Sequence, residues 1–287
     1  MTEKQWQIFC NFKEEFRKKV EEWKNSAPEL TELQKRAAKE AKTPDYPFET
    51  PVVYNRDLDK LTKDDEIKLI VIGDNPGKDE QLAKNNRYLV GQAGKIADGF
   101  FKKNDELGVD FRKNVIILNK TPVHSAKTIQ LKKMMQLGGS KIEQLILESQ
   151  LWMAEKTAEF YAAFFEAAET SFDEKSSCGE NPSSAAELIP SGENPSSAAN
   201  SIALPELWLV GYSELKGKGF FSAYRDKLKE TILNSSKAAW NSTYVFQHFS
   251  MNRFTIDLKE MCQNMDEPLL QKIHFTGKNH KEEIFGC

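Results

Sequence analysis

Four short apolar segments, separated by segments with helical periodicity, constrain the fold of this chain most strongly. Runs rich in Ile, Leu, Val and aromatic residues occur at residues 67–72, 114–118, 206–210 and 243–246. Such runs are typical of strands that are buried on both faces of a parallel sheet. Helical patterns lie between them at residues 96–104, 141–169 and 220–233. This alternation predicts an α/β fold, a three-layer αβα sandwich with a central four-stranded parallel sheet.

The first 50 residues carry a different pattern. Large apolar side chains recur every three or four positions from Trp6 to Trp23, which predicts an amphipathic helix over residues 5–24. A second helix is predicted over residues 29–41, because Pro44 and Pro47 follow it and disfavour its continuation. We therefore expect a helical N-terminal extension over residues 1–50 and an α/β domain over residues 51–287.

A tandem repeat interrupts the predicted domain. The octapeptide Gly-Glu-Asn-Pro-Ser-Ser-Ala-Ala occurs at residues 179–186 and again at residues 192–199. Two units of this composition cannot stack into a solenoid, because they lack apolar faces. The pattern predicts a flexible low-complexity loop at residues 171–205, and a partner-docking arm is the functional alternative.

Composition and cysteine spacing limit the class of protein. The 287 residues are 39% hydrophobic and 29% charged, which is ordinary for one globular domain with extensions. No run approaches the roughly 18 apolar residues of a membrane helix, and acidic residues interrupt the N-terminal segment where a secretory signal would be apolar. The cysteines lack the Cys-x-x-Cys spacing of zinc or iron–sulfur sites. We expect a cytoplasmic monomer with reduced thiols and with no membrane partner, metal or cofactor.

The net charge of −3 argues weakly against a nucleic-acid partner, since DNA binding depends on phosphate neutralisation by Lys and Arg. The charge is unevenly distributed, however. Residues 171–206 carry six acidic residues and one lysine, a local net charge of −5, which leaves the rest of the chain at +2. That remainder is compatible with a modest basic groove.

A glycine-rich loop follows the first predicted strand, with the sequence Gly73-Asp74-Asn75-Pro76-Gly77. Glycines permit a tight turn and a close approach of backbone N–H groups to a ligand, and proline stiffens the loop. Taken alone, such a loop is equally well explained as a plain connection from strand to helix.

Three further segments make a site more specific. Residues 88–95 open a predicted helix, Asn119 closes the second strand and His248 follows the fourth strand. The carboxyl ends of parallel strands share one edge of a sheet, where ligand sites of α/β proteins gather. The sequence therefore predicts that these segments meet the first loop in one place.

In these segments the chain resembles the uracil-DNA glycosylase superfamily, over residues from about 67 to 253. Residues 73–77 are similar to the Gly-x-Asn-Pro-Gly loop of the single-strand-selective and mismatch-specific branches, and residues 90–94 to the Val-Gly-x-Ala-Gly stretch of the thermostable iron–sulfur branch. Residues 118–122 resemble an Asn-x-x-Pro strand end, and residues 248–250 resemble the His-Pro-Ser signature. The resemblance implies excision of a damaged base, usually uracil, from DNA.

The resemblance implies catalytic roles for Asp74, Asn75 and His248. Asn75 matches the position that holds the attacking water, although an amide is a poor proton acceptor. Asp74 matches an acidic residue of the iron–sulfur branch and can supply the base, or it caps the loop or the following helix. His248 is expected to donate to uracil O2 as negative charge develops, or else to be structural. His124 is a second candidate for an active-site histidine.

Base-binding roles are expected for Gly73, Gly77, Tyr88 and Asn119. The Asn119 amide offers an acceptor and donors that match the N3–H and O4 of uracil, the alternative being that it serves a turn. Tyr88 is the candidate stacking aromatic, because Leu89 stands where the iron–sulfur branch has Phe. Gly77 stands where the most uracil-selective branch has a bulky Tyr, which implies a specificity broader than uracil.

Chemistry on a base requires that the nucleotide leave the helical stack, so DNA-contacting residues are also expected. The resemblance implies that role for Gly91, Ser250, Met251 and Arg253. Phe249 and Met251 replace both prolines of the His-Pro-Ser-Pro signature. In the superfamily this loop carries the wedge, a side chain that enters the DNA stack in place of the flipped base. The two replacements leave open how rigid the loop is in this chain.

The function predicted from the sequence is that of a monofunctional DNA glycosylase of base excision repair, acting on DNA with uracil or another deaminated base. No lysine matches a Schiff-base nucleophile, so lyase activity is not predicted. One alternative is a glycosylase-like module that binds DNA or a nucleotide without turnover. Another is a generic nucleotide-handling hydrolase, although the sequence lacks the P-loop and dinucleotide-binding loops and has no evident metal-binding carboxylate cluster.

Overall fold

A buried parallel sheet forms the centre of the molecule. The computed structural model describes residues 1–177 and 202–286. The strands in these ranges are β1 (Leu69–Gly73), β2 (Val115–Asn119), β3 (Glu206–Val210) and β4 (Thr243–Phe246). Their order is β2-β1-β3-β4, all pairs are parallel and every strand residue is buried. The predicted four-stranded parallel sheet is confirmed.

Helices cover both faces of the sheet. The α-helices of the described residues are α1 (Glu3–Ser26), α2 (Leu30–Glu40), α3 (Gln92–Lys103), α4 (Ile129–Ser177), α5 (Tyr212–Leu215), α6 (Ser222–Ser235), α7 (Lys237–Asn241), α8 (Arg253–Met261) and α9 (Leu269–Phe285). Short 3₁₀ turns occur at Arg56–Asp59, Asp105–Leu107 and Ser250–Asn252. None of these helices is both long and apolar enough to cross a membrane.

Aromatic packing joins one helical layer to the sheet. Trp208 of β3 is fully buried and contacts Phe101 of α3 and Phe254 of α8, with ring centroids 5.8 and 6.0 Å apart. Gly277 brings α9 against the same face, because a Cβ there would lie 2.6 Å from the Phe246 ring. Helices α4 and α6 form the other layer, which gives the predicted αβα sandwich.

The N-terminal helices pack on the outside of α4. A capping box between Thr2 and Gln5 starts α1. Its apolar stripe is buried against α4, where the Phe12 and Phe160 rings stack at 4.7 Å. The predicted extension is therefore continuous with the hydrophobic core of the α/β domain.

Helix α4 is longer than the sequence pattern predicts. It spans Ile129–Ser177 as two helical stretches separated at Gly139, whose backbone is not helical (φ 66°, ψ −163°), and the helix predicted over residues 141–169 falls within the second stretch. The prediction of a loop from residue 171 is thus wrong for residues 171–177, which continue the helix. Both copies of the tandem repeat, and with them the possible docking arm, lie outside the described residues.

Candidate active site at the carboxyl edge of the sheet

A cleft of about 520 Å³ opens at the carboxyl edge of the strands. Asp74 and Asn75 follow β1, Asn119 ends β2 and His248 follows β4, and all four line this cleft. The elements that carry them are distant in sequence but meet where parallel strands end. The structure therefore brings together the four residues that the sequence places in the catalytic and base-binding core.

The Asn75 amide is held by a fixed set of partners. Its Nδ2 donates to the carbonyl oxygen and the Oγ of Ser125, at 2.9 and 3.0 Å, and to the carbonyl of Pro76 at 3.1 Å. Its Oδ1 accepts from Thr128 Oγ1 at 3.4 Å. Ser125 and Thr128 also line the cleft. This network orients Oδ1, whose second lone pair can accept a hydrogen bond from water.

Asp74 forms an ion pair with a fully buried lysine. Lys120 Nζ lies 2.5 Å from Asp74 Oδ1 and also donates to the carbonyl of Val210 at 2.5 Å. Burial lowers the pKa of the Lys120 ammonium, while the Asp74 carboxylate opposes that shift. Within the described residues, Asp74 Oδ2 has no hydrogen-bond partner. The pair thus leaves one carboxylate oxygen available beside the cleft.

Two glycines make room for these side chains. A Cβ at Gly211, which has φ 95°, would lie 2.3 Å from Asp74 Oδ1. A Cβ at Gly73 would lie 2.4 Å from Asn119 Oδ1. Gly73 does not line the cleft, so the structure does not place it to bind a base. Its lack of a side chain instead leaves room for Asn119.

Asn119 presents an unpaired donor. The side chain is only 2% exposed, and its Nδ2 has no hydrogen-bond partner among the described residues. A buried donor without a partner costs roughly 1–3 kcal/mol. Five other side-chain atoms of the described residues are also buried without a partner, but none of their residues lines the cleft. Because Asn119 lines the cleft, a ligand that reaches this wall can supply the missing acceptor.

His248 is fixed in one tautomer by the residue two positions later. The backbone N–H of Ser250 donates to its Nδ1 at 3.1 Å, and Ser250 Oγ lies 2.9 Å from the same atom. Burial lowers the pKa of His248, and the Lys120 charge adds to this effect while Asp74 opposes it. The imidazole is therefore neutral at pH 7 with its proton on Nε2, which makes Nε2 a donor.

The loop after His248 is anchored without prolines. Phe249 is fully buried, and its ring lies 4.8 Å from that of Phe254 and 6.3 Å from that of Phe111. Met251 and Asn252 follow with left-handed backbones, at φ 53° and 57°, and the Met251 side chain is 73% exposed. Core burial of Phe249 thus anchors the backbone of this loop.

Tyr88 lies outside the cleft. It is fully buried, and its hydroxyl donates to the carbonyl of Val53 at 2.6 Å. Its neighbour Leu89 adopts a left-handed backbone at φ 49° and is among the residues that line the cleft. The structure therefore does not place Tyr88 where it could stack on a base in the cleft.

The remaining predicted residues divide between the cleft and its surroundings. Gly77, Gly91 and Ser250 line the cleft, whereas Met251 and Arg253 lie on the exposed surface beside it. His124 is fully buried outside the cleft, with Nδ1 bonded to the Pro76 carbonyl at 2.8 Å, and burial lowers its pKa to about 4. It braces the first loop and takes no part in lining the cleft.

Glu80 is a cleft residue that the sequence pattern does not reveal. Its Oε2 accepts from the backbone N–H of Gly77 at 3.1 Å, and the amides of Leu89 and Val90 also favour its ionised form. Burial outweighs these bonds and raises the pKa of Glu80 to about 7. The carboxyl thus ties the first loop to the turn at Leu89.

Four further side chains at or beside the cleft are also not indicated by the sequence pattern. Ser125, Thr128 and Glu214 line the cleft, and Lys120 pairs with Asp74 beside it; only their positions in the structure identify them. The position of Lys120 directly after Asn119 at a strand end was the one available signal. In the described ranges, no cluster of His, Cys, Asp or Glu side chains is arranged to hold a metal ion.

Comparison of the chain with protein-family models, with curated proteins and with solved structures finds no match. The chemistry of the cleft is defined by the groups that line it. An oriented amide and a free carboxylate oxygen can hold a water, the Asn119 amide can pair with a polar ring edge, and the His248 Nε2–H can donate to a developing anion.

Proposed function

We propose that the protein is a monofunctional DNA glycosylase that hydrolyses the N-glycosidic bond of uracil or a related damaged base in DNA. The observation that carries the proposal is the convergence of Asp74, Asn75, Asn119 and His248 on one cleft. Its volume of about 520 Å³ accommodates a pyrimidine nucleotide. These four groups supply each role that the reaction requires.

The base is recognised at its polar edge. Asn119 Nδ2 donates to O4 of uracil, and Oδ1 of the same amide accepts from N3–H. Cytosine presents the reverse donor and acceptor pattern at that edge, so one rigid amide discriminates the two bases. The unpaired state of Asn119 Nδ2 among the described residues supports this role, because bound uracil would satisfy the donor.

Hydrolysis uses one water. The water is held between Asn75 Oδ1 and Asp74 Oδ2, and its oxygen forms a bond to C1′ as the C1′–N1 bond breaks. The electron pair leaves with the base, and His248 Nε2–H stabilises the resulting charge on O2. Asp74 accepts the water proton. Its negative charge also favours the positive charge that develops on the sugar.

Excision of uracil from oligonucleotides tests the proposal. The protein is incubated with strands that contain U·G, U·A, single-stranded uracil, hypoxanthine or xanthine, and abasic products are detected as alkali-labile sites. We expect cleavage of at least one substrate with wild-type protein and none with Asn119→Ala. The matched control is Asn241→Ala, at an exposed residue at the end of α7, which should leave excision unchanged. Absence of product from every substrate would refute the glycosylase proposal.

The Asp74–Lys120 ion pair favours a second candidate, a base-binding module without turnover. An ion-paired carboxylate is a weaker proton acceptor than a free one, and Asn75 cannot replace it as a base. Tight binding of uracil-containing DNA without product, lost in Asn119→Ala, would select this function over catalysis.

A further inference from the structure

A second groove lies on the face of the molecule next to the cleft. It has a volume of about 520 Å³ and runs between α3, α8 and α9. Its floor is apolar, with Ile96, Phe100 and Leu258, and three lysines line it: Lys103, Lys259 and Lys272. No acidic side chain is among the described residues that line it. We refer to it as the lysine groove.

Helix stabilisation explains only part of this charge. Lys103 and Lys259 lie in the last turns of α3 and α8, where a cation is favourable. Lys272 lies in the first turn of α9, where the helix dipole disfavours a cation, and no side chain caps that terminus. Asp266 and Glu267 precede α9 outside the groove, and within the described chain none of the three lysines forms an ion pair. The groove therefore presents three lysines that have no ion-pair partner among the described residues.

The lysine groove adjoins the cleft along two elements. Ser250 lines the cleft and Asn252 lines the groove, with the exposed Met251 between them. Along α3, Ala93 lines the cleft and Ile96 lines the groove, one helical turn further on. A chain that is bound in the cleft thus reaches the groove by crossing Met251.

We propose that the lysine groove binds a single-stranded DNA segment that flanks the flipped nucleotide. Its phosphates contact the three lysines, and its unpaired bases lie on the apolar floor. Single-strand sites combine a positive track with apolar or aromatic surfaces, whereas paired bases in a duplex are stacked away from such a floor. The inference rests on the proposed function for the identity of the nucleic acid.

Salt-dependent binding provides the test. A fluorescein-labelled oligo(dT) of fifteen nucleotides, which contains no uracil, is titrated by fluorescence anisotropy between 50 and 200 mM salt. Loss of three phosphate contacts lowers the slope of log K against log salt by about 2, because each contact to a single strand contributes about 0.7. Between these salt concentrations the affinity of wild-type protein should therefore fall about 16-fold more than that of Lys103→Gln/Lys259→Gln/Lys272→Gln.

A second triple variant controls for net charge. Lys4, Lys113 and Lys237 are exposed and lie outside the cleft and the groove, and their replacement by Gln should leave the slope within experimental error. Equal salt slopes for the two triple variants would refute binding of single-stranded DNA in the lysine groove. The same conclusion would follow if the groove variant weakened binding of a blunt duplex as much as binding of oligo(dT). Uracil excision is measured in parallel. A groove effect without excision refutes only the glycosylase proposal, and excision without a groove effect refutes only this inference.

Discussion

Replacement of Lys120 by methionine removes a charge from the interior while keeping an aliphatic side chain of similar length. The ammonium lies 2.5 Å from Asp74 Oδ1 and 5.1 Å from the Phe221 ring, and the lysine side chain is fully buried. At an effective dielectric constant of about 20, the gross Coulomb attraction over this distance is about 7 kcal/mol. Desolvation of both groups offsets much of it.

The net cost of the substitution follows from what remains behind. Loss of one partner of a buried ion pair generally costs about 3–5 kcal/mol. The Asp74 side chain keeps 15% exposure and can be rehydrated, so we expect the lower end, about 3 kcal/mol, for Lys120→Met. Asp74→Asn strands the lysine and should cost a similar amount. The double variant has no buried charge and should also cost about 3 kcal/mol, which gives a coupling energy of about 3 kcal/mol.

Urea unfolding of the four proteins at pH 7 measures this coupling. Lys113→Met is the matched control, because Lys113 is exposed before the amino end of β2, and it should change the unfolding free energy by less than about 0.5 kcal/mol. NMR titration gives a second readout, since loss of the Lys120 charge should raise the pKa of His248. If the two single costs simply add in the double variant and the His248 pKa does not move, Lys120 does not hold Asp74 as described.

Three further substitutions test individual cleft groups. His248→Ala should lower the excision rate roughly 10²–10³-fold, because a preorganised hydrogen-bond donor is lost. The control is His274→Ala, at the opposite edge of the sheet, which should leave the rate unchanged. Equal effects of the two substitutions would contradict the role of His248. Glu80→Gln should abolish a pH dependence of stability. The pKa of Glu80 in the folded protein is about 7, above the ordinary 4.5, so the stability of the wild type relative to the variant is greatest below pH 4.5. It falls by roughly 3 kcal/mol as pH rises through 7. The same difference in unfolding free energy between wild type and variant at pH 4 and at pH 8 would contradict this. Gly77→Tyr should suppress any thymine excision roughly tenfold or more while sparing uracil, since open space surrounds a Cβ there; Gly77→Ala should leave the ratio of uracil to thymine excision unchanged.

The fold could be predicted from the sequence because its strongest signals are local. Strands buried on both faces read as uninterrupted apolar runs, and all four were placed from that pattern. The extent of α4 was not predictable in the same way. Gly138 and Gly139 suggest a break, and the helical backbone is interrupted at Gly139, but the stretch before it and the residues beyond 169 carry no clear helical pattern in the sequence.

The sequence predicts those residues of the site that lie at the ends of strands. It does not predict side-chain pairs between residues that are distant along the chain. Asp74, Asn75, Asn119 and His248 follow from the rule that parallel strands end at one edge. The Asp74–Lys120 pair depends on side-chain directions across two strands, which no spacing in the sequence encodes. The burial of Tyr88 beside a left-handed residue, Leu89, is likewise not encoded by any spacing in the sequence.

Met251 combines two properties that are unfavourable for folding. Its backbone is left-handed, at a cost of roughly 1–2 kcal/mol for a side chain with a Cβ, and its side chain is 73% exposed. Met251→Gly should relieve the strain and raise the unfolding free energy by up to about 1 kcal/mol, after the greater chain entropy of glycine is subtracted. Under the proposed function the same change removes the wedge and lowers excision.

Under the proposed function, stability and activity therefore make opposite demands on the side chain at position 251. Met251→Ala separates the effect on stability from the effect on excision, because alanine keeps the strained left-handed backbone and removes only the exposed side chain. A library of variants selected for thermal stability alone should therefore accumulate glycine or asparagine at position 251 and lose activity as it does so. Retention of full activity in Met251→Gly would show that the exposed side chain is dispensable.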